Sequence, residues 1–299
     1  MIDVGFRYSS EGIVVGDELH ELGRANTLSV PGARLRYRVR GSGPVLLLIP
    51  GGPASASMYD DVAPLLAEHY SVITYDPRGL GASTLDDPNE DIAVATQADD
   101  VHRLLRTVTD EPAYVFATSG GCATGLALAV NHAPQVRTLV AHEPSLSELL
   151  PDVEERRAHN EDIFRTARTA GVSAALHKFL PAAGFRLPDA PDPKELAAIT
   201  AMREHLEEFF TPRNLEVFFG PMWRPLAGYA PDLDALRATP TRIVIGIGTT
   251  SEGQFAHRST LLLAAELSQR PVVFPGDHGG MMGVPDEFTE CLLKILAEQ

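Results

Sequence analysis

The sequence predicts an α/β fold built on a doubly wound, mostly parallel β-sheet with a helical insertion. Three observations favour it. Short apolar runs typical of strands alternate with segments of helical periodicity along most of the chain. Several of these runs are continuously apolar and end in glycine, as strands buried on both faces do. The alternation stops between residues 145 and 240, where only helical patterns occur.

Seven segments have the pattern of strands. The first, ARLRYRVR at 33–40, alternates apolar and arginine side chains, which predicts a half-exposed strand near a sheet edge. The second, PVLLLIP at 44–50, is continuously apolar and predicts a strand buried on both faces. The remaining strand segments are 70–76, 113–118, 136–143, 241–248 and 270–276.

Helical patterns separate these strands at 58–69, 94–108, 125–133 and 257–268, and a last one covers 286–299. Strands that alternate with helices are joined by right-handed crossovers and form a parallel sheet. Inside the interruption, helical patterns at 148–164 and 195–210 flank a proline-rich loop at 185–193.

These patterns divide the chain into three parts. Residues 1–25 lack clean periodicity and are expected to form a loosely attached N-terminal extension. Residues 26–144 and 241–299 form the α/β core. Residues 145–240 form a helical cap, or lid, which leaves the strand at 136–143 and covers the ends of the strands.

Composition excludes several classes of protein. The chain has 299 residues, and its 40 acidic and 25 basic side chains give a net charge of −15. This charge repels phosphate backbones and anionic lipids, so we expect a small-molecule substrate and neither nucleic acid nor membrane as a partner. Two cysteines, Cys122 and Cys291, argue against a disulfide framework. With no apolar leader or spanning segment in view, we expect a cytoplasmic protein.

The stretch VFATSGGCATG at 115–125 points to a catalytic site. A strand that turns directly into a helix holds the turn residue in strained geometry and needs small neighbours. Here Ala117, Gly120 and Gly121 surround Ser119. In a parallel sheet, ligands bind at the carboxyl ends of the strands. The pattern therefore predicts that the Ser119 hydroxyl is presented at a ligand site.

With these residues in place, the chain resembles the α/β-hydrolase fold superfamily, whose GxSxG nucleophile elbow is written here ATSGG at 117–121. Three further segments carry the resemblance: LLLIPGGP at 46–53, TYDPRGLGAST at 74–84 and FPGDHGG at 274–280. The resemblance covers residues 27–299 apart from the cap, which in the family's strand numbering follows the sixth strand.

The resemblance implies a role for each segment. Ser119 would be the nucleophile and His278 its general base and acid. The amides of Gly52 and Gly120 would form the oxyanion hole, because Pro53 has no N–H. The 74–84 segment would be structural. Cys122, just after the elbow, is expected to pack as a small hydrophobe.

The acid of the triad is open. Most family members carry it after the seventh strand, where Ser251 stands in this chain. Glu143, leaving the sixth strand, occupies a position from which certain haloalkane dehalogenases supply their acid, and we favour it. Glu252 is the alternative if its loop turns inward.

The predicted function is a serine hydrolase of a small or medium apolar acyl compound, an ester, lactone or thioester, which requires no cofactor and no metal. Serine at the elbow disfavours the alkyl-enzyme chemistry of dehalogenases and epoxide hydrolases. The alternatives are an elimination or carbon–carbon cleavage with the same Ser–His pair, or a non-catalytic ligand-binding protein. Several apolar residues either line the pocket or pack in the core: Phe209, Phe210, Phe218, Phe219, Trp223, Met281 and Met282.

Overall fold

A nine-stranded sheet forms the centre of the molecule, whose computed structural model describes residues 24–183 and 210–298. Its order is β1-β2-β4-β3-β6-β7-β8-β9, with β5 paired to β2. The strands are β1 (Arg24–Val30), β2 (Ala33–Arg40), β3 (Val45–Ile49), β4 (Ser71–Tyr75), β5 (Thr84–Leu85), β6 (Ala113–Thr118), β7 (Val136–His142), β8 (Arg242–Gly248) and β9 (Val272–Phe274). Neighbours from β4 to β9 along this order are parallel, which confirms the predicted fold class.

Helices connect the strands and make up the insertion. They are α1 (Val62–Leu66), α2 (Val94–Val108), α3 (Gly121–Asn131), α4 (Val153–Ala170), α5 (Val172–Ala182), α6 (Pro212–Val217), α7 (Trp223–Ala227), α8 (Leu233–Ala238), α9 (Phe255–Glu266), α10 (Gly280–Gly283) and α11 (Pro285–Ala297). Short 3₁₀ turns occur at Ala56–Tyr59, Ala133–Gln135 and Ser147–Leu149, and a π-type turn, Phe218–Met222, joins α6 to α7.

Both faces of the sheet are buried, because successive side chains of a strand point to opposite sides. In β3, Leu47 and Ile49 pack in the cluster that includes side chains of α2, α3 and α9. Leu46 and Leu48 pack in a second cluster with side chains of α1 and α11. This two-sided burial explains why the central strands are continuously apolar in the sequence.

Strands β1 and β5 are absent from the sequence-based prediction. β1 forms a hairpin with β2 through the two-residue loop Pro31–Gly32, and Gly32 has a φ of +75°. Among residues 25–30 of the strand, only Val30 is buried, so RANTLSV lacks a clear apolar alternation. The predicted N-terminal extension, residues 1–25, lies outside the described residues up to residue 23, and Arg24 and Ala25 belong to β1.

The insertion between β7 and β8 contains α4 to α8 among the described residues. A cluster of its own, which includes Ile163, Phe218 and Trp223, packs against Leu80 and Ile92 of the core. α4 starts later than the helix predicted at 148–164, because Pro151 keeps Leu150 extended. The predicted loop at 185–193 and the predicted helix at 195–210, except Phe210, lie outside the described residues.

No helix within residues 24–183 and 210–298 combines the length and the apolar content needed to cross a bilayer.

Candidate active site

Ser119 occupies a sharp turn between β6 and α3. Its φ is +53°, in the left-handed region that non-glycine residues rarely adopt. Its N–H donates to the carbonyl of His142 at 3.0 Å, and its own carbonyl accepts from the N–H of Cys122 at 3.1 Å. Backbone strain of this kind is retained where the surroundings enforce it, and it clusters at functional sites.

Two glycines make room for this turn. A Cβ added at Gly51 would lie 2.6 Å from the Cβ of Ser119, and one at Gly121 would lie 2.4 Å from the carbonyl oxygen of Pro50. Both distances are shorter than real contacts allow, so the end of β3 and the start of α3 approach each other only without side chains. Gly120 is less crowded, with Leu226 as the nearest neighbour at 3.1 Å from an added Cβ.

The amides of Gly52 and Gly120 lie together beside Ser119. Gly52 N is 3.5 Å from the position of a Cβ built on Gly120, and Gly52 has a φ of +56°. Neither amide donates to an acceptor within the described part of the chain. Gly120 also precedes the first turn of α3, where the helix dipole favours negative charge. Two free N–H groups, one in the loop after β3 and one at the start of α3, can hold an oxyanion.

Asp76 holds the loop that carries Gly52. Its carboxylate accepts from the N–H of Ala56 at 2.9 Å and from the N–H of Ala82 at 2.8 Å. Ser83 Oγ donates to the Asp76 carbonyl at 2.7 Å. The 74–84 segment therefore links two loops through hydrogen bonds, consistent with the structural role expected for it.

His278 and Glu143 form a hydrogen-bonded pair. His278 Nδ1 lies 2.8 Å from Glu143 Oε2. The other carboxylate oxygen, Oε1, accepts from the N–H of Gly248 at 2.8 Å and from Ser251 Oγ. Glu143 is fully buried and has a φ of +48°. The structure thus brings the predicted acid and the predicted base together.

Glu143 is held ionised despite its burial. Burial by itself raises the pKa of the Glu143 carboxyl, but hydrogen bonds from His278 and Ser251 and the charge of His278 outweigh it and lower the pKa to about 2. A carboxylate at Nδ1 orients the imidazole and leaves Nε2 to accept a proton.

Glu252, the alternative acid, is exposed, and the hydrogen bond and ion pair of His278 are made with Glu143 instead. Its neighbour Ser251 instead faces the site and donates to Glu143. Sequence reasoning missed this role of Ser251, although its place at the family's usual acid position was a signal.

Two more serines near the site carry no sequence signal. Ser145 Oγ lies 3.2 Å from Ser119 Oγ. Ser259, on α9, donates to the carbonyl of Pro144 and accepts from the N–H of Leu146 at 3.4 Å. Ser259 therefore fixes the backbone just after Glu143.

Beneath the site lie two buried groups that do not reach the cavity. Burial, reinforced by the charge of His278, lowers the pKa of His142 to about 3, so its ring is neutral. His142 packs against Phe274 and Phe288, and its Nε2 has no partner among the described residues. Burial, with the charge of Glu143, raises the pKa of the Cys122 thiol, which fits its expected role as a small hydrophobe.

Ser119 opens onto two adjoining cavities. One, of about 520 Å³ with its opening, is lined by both Ser119 and His278, together with Gly52, Met58 and Met282. The other, of about 630 Å³ with its opening, lies between Ser119 and the insertion.

Some of the apolar residues expected in a pocket or the core line a cavity, and others pack in the core. Phe218 and Trp223 line the larger cavity, and Phe210 and Met282 line the smaller one. Phe219 and Met281 are buried in apolar clusters instead. Phe209 lies outside the described residues.

Metal-ligating side chains do not cluster in the described residues: no three His, Cys, Asp or Glu side chains lie close enough to hold an ion.

Comparisons with known proteins extend over nearly the whole chain. A family model described as the alpha/beta hydrolase fold matches residues 44–179. The chain is 34% identical over 279 residues to an uncharacterized hydrolase, YraK, of Bacillus subtilis (strain 168), covering 91% of this chain and 96% of that protein. It is 26% identical over 275 residues to the zearalenone hydrolase of Bionectria ochroleuca, covering 90% and 96%.

The fold also matches solved structures. The enol-lactonase from Burkholderia xenovorans LB400 has a TM-score of 0.70 with this chain at 22% identity, covering 91% of this chain and all of that one. A match at this identity reflects the shared fold.

Proposed function

This chain belongs to the α/β hydrolase fold family and is a hydrolase, and from that premise we propose that it is a serine hydrolase. Its substrate is a carboxylic ester, lactone or thioester with a small or medium acyl group. Ser119 is the nucleophile, His278 the general base and acid, and Glu143 the residue that orients His278.

The reaction proceeds in two halves. Ser119 Oγ attacks the carbonyl carbon while its proton passes to His278 Nε2, and the amides of Gly52 and Gly120 hold the negative oxygen. The bond to the leaving oxygen or sulfur then breaks, and His278 gives that atom the proton. In the second half, water gives a proton to His278 and its oxygen to the acyl carbon. The bond between this carbon and Ser119 Oγ then breaks, and His278 returns the proton to Oγ, which releases the acid and restores Ser119.

One observation carries this proposal. A serine in a strained turn lines the same cavity as a histidine whose Nδ1 is bonded to a buried, ionised glutamate. The cluster supplies a nucleophile, a base with its orienting acid, and free amides for the oxyanion, which are the parts that acyl transfer needs.

Covalent labelling tests the nucleophile. A fluorophosphonate should add one phosphonyl group to the intact protein, located at Ser119 by peptide mass spectrometry. Ser119→Ala should give no adduct. Ser268→Ala is a matched control, because exposed Ser268 also has a positive φ, +54°, but does not line either cavity at Ser119. An unlabelled wild-type protein, or a label retained in Ser119→Ala, would contradict the proposal.

Hydrolysis in ¹⁸O-labelled water tests the reaction type. Hydrolysis places one solvent oxygen in the product acid, whereas elimination places none there. Both relatives described above are named hydrolases, which does not fit the alternative of a non-catalytic ligand-binding protein. One relative is named a zearalenone hydrolase, so zearalenone is the first defined compound to assay.

A further inference from the structure

One face of helix α4 borders the larger cavity at Ser119. Arg156, His159, Asn160 and Ile163 all line it. These positions are three and four residues apart, so they share one side of the helix. Three of the four are polar.

The other lining side chains from the insertion are largely apolar. They include Phe179, Phe218, Trp223 and Leu226, of which Phe218 and Trp223 are almost fully buried. The cavity therefore has a polar wall, formed by α4, and an aromatic and aliphatic wall. A wholly apolar substrate would leave the polar wall without partners, which is unfavourable once water is excluded.

Arg156 provides positive charge on the polar wall. Its Nε donates to Asp152 at 3.2 Å, but Asp152 also accepts from Arg258 Nη2 at 2.6 Å. Two guanidinium groups thus share one carboxylate, and the group of three has a net positive charge. The terminal N–H groups of Arg156 have no acceptor within the described residues, and its side chain is 27% exposed.

His159 lies on the same wall as Arg156. Its Nε2 is buried and has no hydrogen-bond partner among the described residues. Burial, followed by the charge of Arg156, lowers the pKa of His159, so the ring is neutral. Buried polar atoms in native proteins are nearly always paired, which makes an unpaired one beside a cavity a sign of a missing ligand.

Asn160 is fixed in place beside them. Its Nδ2 donates to Ser147 Oγ at 3.2 Å, and its main-chain carbonyl accepts from Trp223 Nε1 at 2.8 Å. These bonds tie α4 to the turn at Ser147–Leu149 and to the aromatic wall. The polar wall is therefore held rigidly, as a selective site requires.

We propose that Arg156 and His159 form a subsite for an anionic, hydrogen-bond-accepting group of the substrate, a carboxylate or a phenolate, remote from the scissile carbonyl. This inference rests on the proposed function and narrows its substrate class from apolar to amphiphilic. The apolar wall would hold the hydrocarbon part, and the guanidinium and the imidazole would receive the anion.

Paired substrates test the subsite. p-Nitrophenyl half-esters of the diacids from adipate to azelate are compared with esters in which an isopropyl group replaces the free carboxylate. We expect the wild type to prefer the carboxylate member at one chain length, by kcat/KM. In Arg156→Gln, the ratio of carboxylate to isopropyl kcat/KM should fall by about tenfold or more.

Arg157→Gln is the matched control. Arg157 is the next residue of α4, but it is exposed, pairs with Glu148 and Glu154, and does not line the cavity at Ser119. The ratio of carboxylate to isopropyl kcat/KM in Arg157→Gln should equal that of the wild type. A wild type that prefers the isopropyl member at every length, or equal losses in Arg156→Gln and Arg157→Gln, would overturn the subsite.

Binding separates this result from failure of the proposed function. Anilides with the same acyl chains are titrated calorimetrically into Ser119→Ala and into Ser119→Ala/Arg156→Gln. Weaker binding of the carboxylate anilide in the double variant, with the isopropyl anilide as reference, supports the subsite even if no ester is hydrolysed. Equal carboxylate selectivity in both variants counts against it.

Discussion

Replacement of Glu143 by glutamine tests the link between the acid and the base at a single atom. The Glu143 carboxylate meets Gly248 N–H and the Ser251 hydroxyl on its Oε1 side and His278 Nδ1 on its Oε2 side. Gly248 N–H can only donate, so the amide oxygen of glutamine must face it. The amide NH₂ then faces Nδ1.

This orientation forces Nδ1 to accept, and the ring proton moves to Nε2. A histidine protonated at Nε2 cannot take the proton of Ser119. A wrong tautomer of this kind lowers kcat by about 10⁴-fold in a serine protease. We therefore expect a decrease of about 10³- to 10⁴-fold in Glu143→Gln, equivalent to about 4 to 5.5 kcal/mol of transition-state stabilisation.

The assay is steady-state hydrolysis of a p-nitrophenyl ester, with circular dichroism to verify that the variant is folded. Glu252→Gln is the control, because Glu252 is exposed and lies next to the same loop residue, Ser251. It should retain wild-type kcat. A loss below tenfold in Glu143→Gln, or an equal loss in Glu252→Gln, would refute the reasoning.

Three further outcomes are expected. Because the pKa of Glu143 is lowered from 4.5 to about 2, wild-type unfolding free energy should decrease by about 3 kcal/mol as pH falls through this range, and urea titrations should show a smaller decrease in Glu143→Gln. Because the pKa of His142 is lowered from 6.5 to about 3, the unfolded chain binds a proton first as pH falls, which destabilises the wild type by about 2 kcal/mol between pH 7 and 5. His142→Phe should lose less stability over that interval, and an unchanged loss would contradict this account. Gly51→Ala should reduce kcat at least tenfold by displacing Ser119, whereas Gly283→Ala, whose Cβ meets nothing within 4 Å, should not; equal activities would exclude the steric argument.

The central strands could be predicted from the sequence because burial on both faces leaves a direct trace. β3 and β6 are continuous apolar runs, and their predicted bounds differ from the observed ones by at most one residue. β1 leaves no such trace, since its register comes from the hairpin with β2 and only Val30 among residues 25–30 is buried. The local sequence pattern of a strand shows whether the strand is buried, whereas the neighbouring strand with which it pairs depends on the rest of the sheet.

The candidate site, like the fold, could be predicted from the sequence only in part. The elbow and the oxyanion loop could be located because close backbone approach demands glycine in a recognisable arrangement. The sequence favours Glu143 over Glu252 as the acid but does not decide between them, because the outcome depends on how β7 and β8 align. The N–H of Glu143 bonds to the carbonyl of Gly246 on the neighbouring strand, and this pairing aims the carboxylate at His278.

The bonds of Ser259 bear on how this protein can diversify. The insertion follows Glu143 closely, with a 3₁₀ turn at Ser147–Leu149, so a shift of the insertion would reach the proposed acid if nothing intervened. Ser259 ties the chain on both sides of Ser145 to α9, a helix of the core. This tie holds the backbone after Glu143 in place, so we expect substitutions in the inserted helices to alter substrate binding while Glu143 keeps its position.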